Sequence, residues 1–333
     1  MRHLFGLATF SFLNLAAVTA YANDTMAHFA AGELVFTQTD AVTMVSEDLF
    51  LSTDEVRVAY RFRNLTSQDV TGTVAFPMPE IRLTMSDADY PDGPASNPMR
   101  FSVTVDGKQL PVQFDAKALV DGRDVTRSLR ELNIPVPPFD EKVDAALKRL
   151  DPQTVTRLEK DGIIEIQELY QGNKRYQEAH PIWALAGSYH WQQTFPAGRD
   201  TIIQHRYKPS VGATVLSLDA MVDAKTVEDM YLVGENSCMD KDFINGAKRW
   251  AARQLKQGGG GSQRMLEYIL ITGVNWAGPI GTFTLTVDKG RPDNLISFCG
   301  EGVKKIAPTQ FQMIKKNFKP TQNISALILD TGR

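Results

Sequence analysis

The sequence predicts a mainly β protein made of two antiparallel, sandwich-like units, the first interrupted by a helical insertion. Three observations predict it. Apolar and polar residues alternate over short segments along most of the chain. The apolar spacing becomes helical within 116–180 and again after residue 240. Turn residues separate the short runs at frequent intervals. The expected organisation is a leader over 1–22, an N-terminal unit over 23–215 with its insertion at 116–180, and a C-terminal α+β unit over 216–333. The chain has 333 residues, 43% of them hydrophobic and 23% charged. That composition excludes a disordered, collagen-like or coiled-coil chain.

The leader comes first. Arg2 and His3 form a short basic start, and Leu4 to Val18 is an apolar run. Ala20-Tyr21-Ala22 is a small-x-small cleavage box before polar Asn23-Asp24. This is the layout of a secretory signal peptide. The alternative is an uncleaved anchor, for which the run is short against the roughly 20 residues a bilayer span needs. Cleavage after Ala22 is expected, with a periplasmic or secreted product. Loss of Arg2 moves the net charge from −3 to −4. No later stretch is long and apolar enough for a membrane span, and the near-neutral balance argues against nucleic acid as a partner.

Strands follow. Val56, Val58, Tyr60 and Phe62 alternate with Arg57, Ala59, Arg61 and Arg63, which predicts a half-buried antiparallel strand. A polar turn at 66–69 leads to a strand over Val70–Phe76, ended by Pro77 and Pro79. Phe101, Val103 and Val105 form another strand, and Asp106-Gly107 supplies a tight hairpin turn. Leu110, Val112 and Phe114 run back. Within the insertion, Val143, Leu147 and Leu150 have helical spacing, and Asp151-Pro152 reads as an N-cap followed by proline at the first helical position. Strands resume over Tyr189–Thr194 and Thr201–Tyr207. In the second unit Asp240–Gln257 reads as a helix, with Phe243, Ile244, Ala247, Trp250, Ala251 and Leu255 on one stripe. The Gly258–Gly261 run reads equally as a natural loop or an engineered linker. Strands are then expected near Met265–Thr272, Thr282–Val287, Leu295–Cys299 and Ile324–Leu329.

Cys238 and Cys299 are the only two cysteines. In an exported chain two thiols usually pair, so a disulfide is expected, with two buried free thiols as the alternative. Their spacing fits neither a CxxC redox pair nor a zinc site.

Candidate functional residues are few. His180, Trp183, His190 and Trp191 gather two imidazoles and two indoles where the insertion rejoins the sandwich. They suggest a binding patch, or simply packing at the junction. As neighbours on one strand, His190 and Trp191 point to opposite faces. Asp87, Asp89 and Asp92 place three carboxylates in one loop, which could hold Ca²⁺. Their spacing departs from the EF-hand pattern, and a solvated turn is the plainer reading. Arg57, Arg61 and Arg63 could meet an acidic partner, or pair with acids across the sheet. The chain lacks G-x-S-x-G, H-E-x-x-H, a P-loop and G-x-G-x-x-G. No cofactor is indicated.

VRVAYRFRN, a polar turn, TVAFPMPEI and then FSVTVDGKQL resemble the bacterial domain-of-unknown-function 4424 family. NDTMAHFAAGELVFTQTDAVTMVSEDLFLS, NWAGPIGTFTLTVDKG and SFCGEGVKKIAPTQF are similar to it as well, so the resemblance covers nearly the whole chain beyond the leader. It implies a secreted bacterial protein without an assigned activity. Residues 40–215 also bear a looser likeness to the vault-protein/inter-α-trypsin (VIT) β-sandwich. The von Willebrand A domain that often follows it has an Asp-x-Ser-x-Ser metal site. No Asp here is followed two residues later by Ser, so metal-dependent adhesion is not carried over.

The function expected is a non-catalytic binding or interaction module of the cell envelope, with an envelope protein or a glycan as partner. The alternative is an exported hydrolase or carbohydrate-active enzyme built on a carboxylate pair. A pair about 5–10 Å apart in a cleft would favour the enzyme.

Overall fold

A computed structural model describes residues 23–30, 33–83, 90–172, 174–225, 230, 232 and 237–331. In chain order the first strands are β1 (Thr25–Ala30), β2 (Glu33–Thr37), β3 (Val42–Leu51), β4 (Val56–Asn64), β5 (Val70–Pro77) and β6 (Ile81–Arg82). β7 (Ser102–Val105), β8 (Lys108–Leu110), β9 (Gln113–Val120) and β10 (Arg123–Asp124) follow. The insertion then contributes α1 (Thr126–Glu131), α2 (Lys142–Leu147), α3 (Pro152–Lys160), β11 (Ile164–Gln171) and β12 (Lys174–Pro181). After it come β13 (Ala184–Phe195), β14 (Asp200–Tyr207), β15 (Gly212–Val215), α4 (Leu218–Asp223) and α5 (Lys241–Lys256). The chain closes with β16 (Ser262–Tyr268), β17 (Ile280–Asp288), β18 (Leu295–Phe298), β19 (Lys304–Lys305), β20 (Gln310–Phe318) and β21 (Ile324–Asp330). The protein is mainly β, as its alternating pattern predicts.

Two large sheets face each other across one core. The first runs β10-β9-β13-β5-β1-β2, with β6 also on β13; the second runs β19-β20-β17-β3-β4-β14-β7-β8. β4 fulfils its alternation: Val56, Val58, Tyr60 and Phe62 are buried and Arg57, Arg61 and Arg63 are exposed. From the opposite sheet, Val74, Phe76, Tyr189, Trp191 and Phe195 enter the same core. The Asp106-Gly107 turn has both residues at positive φ, 48° and 79°, as a tight hairpin matched to strand twist requires. Beyond β8 the chain passes Pro111 and changes sheets, so Phe114 lies on β9 in the first sheet rather than on the returning strand of the hairpin.

The insertion mixes helix and strand. α1 to α3 occupy its first part, and Asp151 caps α3, its Oδ1 accepting the backbone N–H groups of Gln153 and Thr154 at 3.0 Å each. The rest is the β11–β12 hairpin, in a two-stranded sheet of its own. Its Ile-Glu-Ile-Gln start alternates with period two, a signal that the helical reading of 116–180 passed over. Leu129, Val143, Leu147, Leu158, Ile164 and Trp183 make a separate small core here.

The C-terminal strands divide between two sheets. β17 pairs in parallel with β3, from Thr282↔Ser46 to Val287↔Leu51, so residues on both sides of position 215 share the second large sheet. The others form the sheet β15-β16-β21-β18. β21 is buried at every position. Ile324 and Ala326 face the main core, while Leu327 and Leu329 face a third core with Trp250, Ala247 and Met221. A strand covered on both faces reads as a continuous apolar run, as Ile324–Leu329 does.

α5 begins at Asp240, which accepts the Phe243 N–H at 2.7 Å. Its end explains the glycine run. Gly258 is left-handed at φ 63° and donates to Leu255 O, while Gly259 donates to Gln254 O at 2.9 Å. These are the paired bonds of a Schellman cap. A Cβ on Gly261 would lie 2.7 Å from the Trp250 ring. The run is therefore built into the fold as a helix stop and a close approach, not as a loose linker.

Candidate functional site

The structure distributes the sequence-predicted residues over different environments. Trp183 is fully buried in the insertion core, and its Nε1 donates to Val136 O at 2.7 Å. Trp191 points into the main core and meets the His205 ring edge-on at 5.3 Å. His190 points to the opposite face of the same strand, against Phe29 at 5.2 Å; burial lowers its pKa, with Asp115 opposing. His180 lies on β12, 3.9 Å from Glu178, beyond hydrogen-bond reach. The four do not line one pocket. Asp87 and Asp89 lie outside the described residues. Asp92 pairs with Arg100 at 3.0 Å and Lys208 at 3.5 Å, and Arg100 holds its carboxyl below the usual range. Among the described residues no group of three or more His, Cys, Asp or Glu is placed to hold a metal ion. The arginine stripe is neutralised locally: Arg57 meets Glu55, and Arg61 and Arg63 share Asp200. Cys238 and Cys299 are joined, with Cα atoms 5.0 Å apart.

A polar cluster that the sequence reading did not single out lies inside the main core. His205 and Asp24 meet at 3.0 Å, and neither side chain is exposed. Asn23 Nδ2 donates to Glu47 Oε2 at 3.0 Å, and Tyr60 Oη donates to Asn23 Oδ1 at 2.6 Å. Tyr268 Oη lies 2.9 Å from Tyr60 Oη and 3.2 Å from Glu47 Oε1. Thr272 Oγ1 and Trp276 Nε1 cap the backbone carbonyls of Asn23 and Asp24. Burial drives the electrostatics. It raises the Asp24 carboxyl, with His205 opposing, and pushes Glu47 up to about 8.

Proton counting gives the same direction for Glu47. Four contacts join Asn23, Tyr60, Tyr268 and Glu47, and Asn23 and the two tyrosines supply one hydrogen each. With Glu47 ionised, Tyr268 donates to the carboxylate and the Tyr60–Tyr268 contact has no hydrogen. A proton on Glu47 supplies the fourth and closes the ring. The residues of the cluster are all buried. Alternation along Thr201–Tyr207 does place His205 inward, so that signal was available in the sequence.

One of several open clefts, of about 490 Å³, lies where the FPMPEI segment meets β16. Met78 and Ile81 form one wall, and Met265, Glu267 and Ile269 another, with Tyr207 between them. Period two along β16 sends Met265 and Glu267 to the cleft while Leu266 and Tyr268 enter the core. Glu80 is satisfied by Arg82 at 3.4 Å. Glu267 has no ion-pair partner among the described residues, and the protein around it raises its carboxyl although it meets solvent at the cleft mouth. The cleft thus offers polarisable sulfur and aliphatic surface beside one uncompensated acid.

Residues 22–327 match the family described as "Domain of unknown function (DUF4424)". No curated protein matches the chain by sequence. Among solved structures, the chain is similar to that of a candidate nutrient-binding protein from Legionella pneumophila. The identity is 17% over 94% of this chain and 71% of that one, with a TM-score of 0.46.

Proposed function

For this chain, which belongs to the DUF4424 family, we propose a non-catalytic binding module that takes a small ligand with an apolar body and a cationic head. The observation that carries this reading is the cleft between the FPMPEI segment and β16. Its volume lies within the roughly 300–1,000 Å³ usual for small-molecule sites. Its walls are mostly apolar, and methionines suit ligands of variable shape. Glu267 supplies the one fixed charge that asks for a partner. The same module works in the cell envelope, as the leader over 1–22 supports. The enzyme alternative needs a free carboxylate pair; Asp24 and Glu47 are closed off in the core, and of the two carboxylates lining the cleft Glu80 already pairs with Arg82, which leaves Glu267 alone.

Thermal unfolding with added n-octylamine tests the reading, with n-octanoate and n-octanol as controls. A ligand at about 100 times its Kd stabilises a fold by about 2.7 kcal/mol, which raises the midpoint by several degrees. The amine is expected to raise it and the carboxylate not to. Glu267→Gln is expected to remove most of the difference. Equal shifts for all three compounds, or none, would overturn the proposal.

A further inference from the structure

Asn23 and Asp24, the first residues described, are among the most deeply buried; both are 0% exposed. They directly follow Ala20-Tyr21-Ala22. Buried carboxylate oxygens ordinarily have hydrogen-bond partners. Asp24 departs from that rule. Its Oδ1 meets His205, but Oδ2 is buried with no hydrogen-bond partner among the described residues. Asn23 is held by Glu47, Tyr60 and Thr272. Asn23 is 0% exposed as a whole residue, so its backbone nitrogen is buried with its side chain, and Asp24 follows it directly in the chain.

We propose that cleavage of the Ala22–Asn23 bond turns this nitrogen into a structural cation, the new α-ammonium of Asn23 becoming the partner of the Asp24 carboxylate. The step is a hydrolysis by a peptidase that cuts after small-x-small. Water adds across the amide, Ala22 leaves with a carboxylate, and Asn23 keeps an ammonium. An amide at this position offers one hydrogen and no charge; the ammonium offers three hydrogens and a full positive charge. A buried carboxylate needs both a partner and a compensating charge. The ionisable groups around the position are Asp24, Glu47 from β3, Tyr60 from β4, His205 from β14 and Tyr268 from β16. Both Glu47 oxygens already engage Asn23 and Tyr268, which leaves Asp24 Oδ2 as the open carboxylate oxygen, with His205 Nδ1 the other unpartnered buried atom of the cluster. Processing in this account completes the core, and the precursor lacks one of its charges. None of this depends on the cleft, so failure here leaves the binding proposal standing.

Three preparations test it: the exported protein, a chain released from a fusion to start at Asn23, and the same chain with Gly-Ser before Asn23. N-terminal sequencing of the exported protein is expected to begin at Asn23. The extended form is expected to melt about 5 °C or more below the Asn23 form. An amine-reactive reagent near neutral pH is expected to label the native Asn23 α-amine at least about tenfold more slowly than the Gly-Ser amine. That factor corresponds to a one-unit rise in pKa. In an Asp24→Asn pair the melting difference is expected to vanish. If that pair fails to fold, the labelling ratio still decides. An exported chain starting elsewhere, equal melting of the two forms, or equal labelling would overturn the proposal.

Discussion

At the scale of single residues, Tyr60 combines two roles. Its ring packs between Phe62 and His205, and its hydroxyl joins Asn23 to Tyr268. Tyr60→Phe keeps the ring and orphans part of a buried network, so chemical denaturation should show a loss of about 1–3 kcal/mol. Tyr60→Ala also opens a cavity and should cost about 3–5 kcal/mol, against about 0.5 kcal/mol or less for neighbouring Arg61→Ala. Alternation along β4 made the inward ring legible in the sequence. The hydroxyl's partners were not legible, because they lie 37 and 208 positions away. Glu47 gives a pH signature. Its folded pKa of about 8 stands above its ordinary 4.5. Between those values the native state keeps a proton that the unfolded state has lost, so this group's contribution falls as pH rises through that window. Glu47→Gln in the full-length chain mimics the protonated form. Its stability relative to the unchanged protein should therefore rise between pH 4.5 and 8 in urea titrations, and a falling trend would contradict the assignment.

At the scale of elements, the third core depends on a few anchors. Cys238 lies just before α5 and Cys299 just after β18, and their bond closes a loop of sequence separation 61. By the chain-entropy estimate, Cys238→Ser with Cys299→Ser should lower stability by about 3–5 kcal/mol. Matched denaturation curves with and without reductant would show it; unchanged midpoints would mean that packing of α5 on β18 and β21 suffices alone. Local chemistry made these elements readable: Asp151 and Asp240 are N-caps, and Asp106-Gly107 is a turn. The β11–β12 hairpin was harder to read. Its short alternation is followed by exposed polar residues, and it pairs only with itself. The His180–Trp191 segment looked like one patch because strand residues close in sequence diverge in space. Trp183 and Trp191 serve two different cores.

For the molecule as a whole, the parallel pairing of β17 with β3 and the shared core around Leu285, Phe283 and Tyr268 tie the C-terminal third to the second large sheet. No local pattern announces a pairing between strands more than 230 positions apart. Residues 216–331 expressed alone should therefore lack cooperative unfolding, whereas the whole chain should melt in one transition by calorimetry. Two separate transitions would show independent units. No helix among the described residues is long and apolar enough to cross a membrane. The cleft arises from the same long-range assembly, since it needs the end of β5, the segment after β14 and strand β16 together. Its most direct test is methyl NMR of protein labelled at its methionines, titrated with n-octylamine. The account predicts that the Met78, Met99 and Met265 methyls, which line the cleft, shift in a saturable way while buried Met44 and Met221 stay fixed. Shifts confined to methionines outside the cleft, or none at saturating amine, would contradict it.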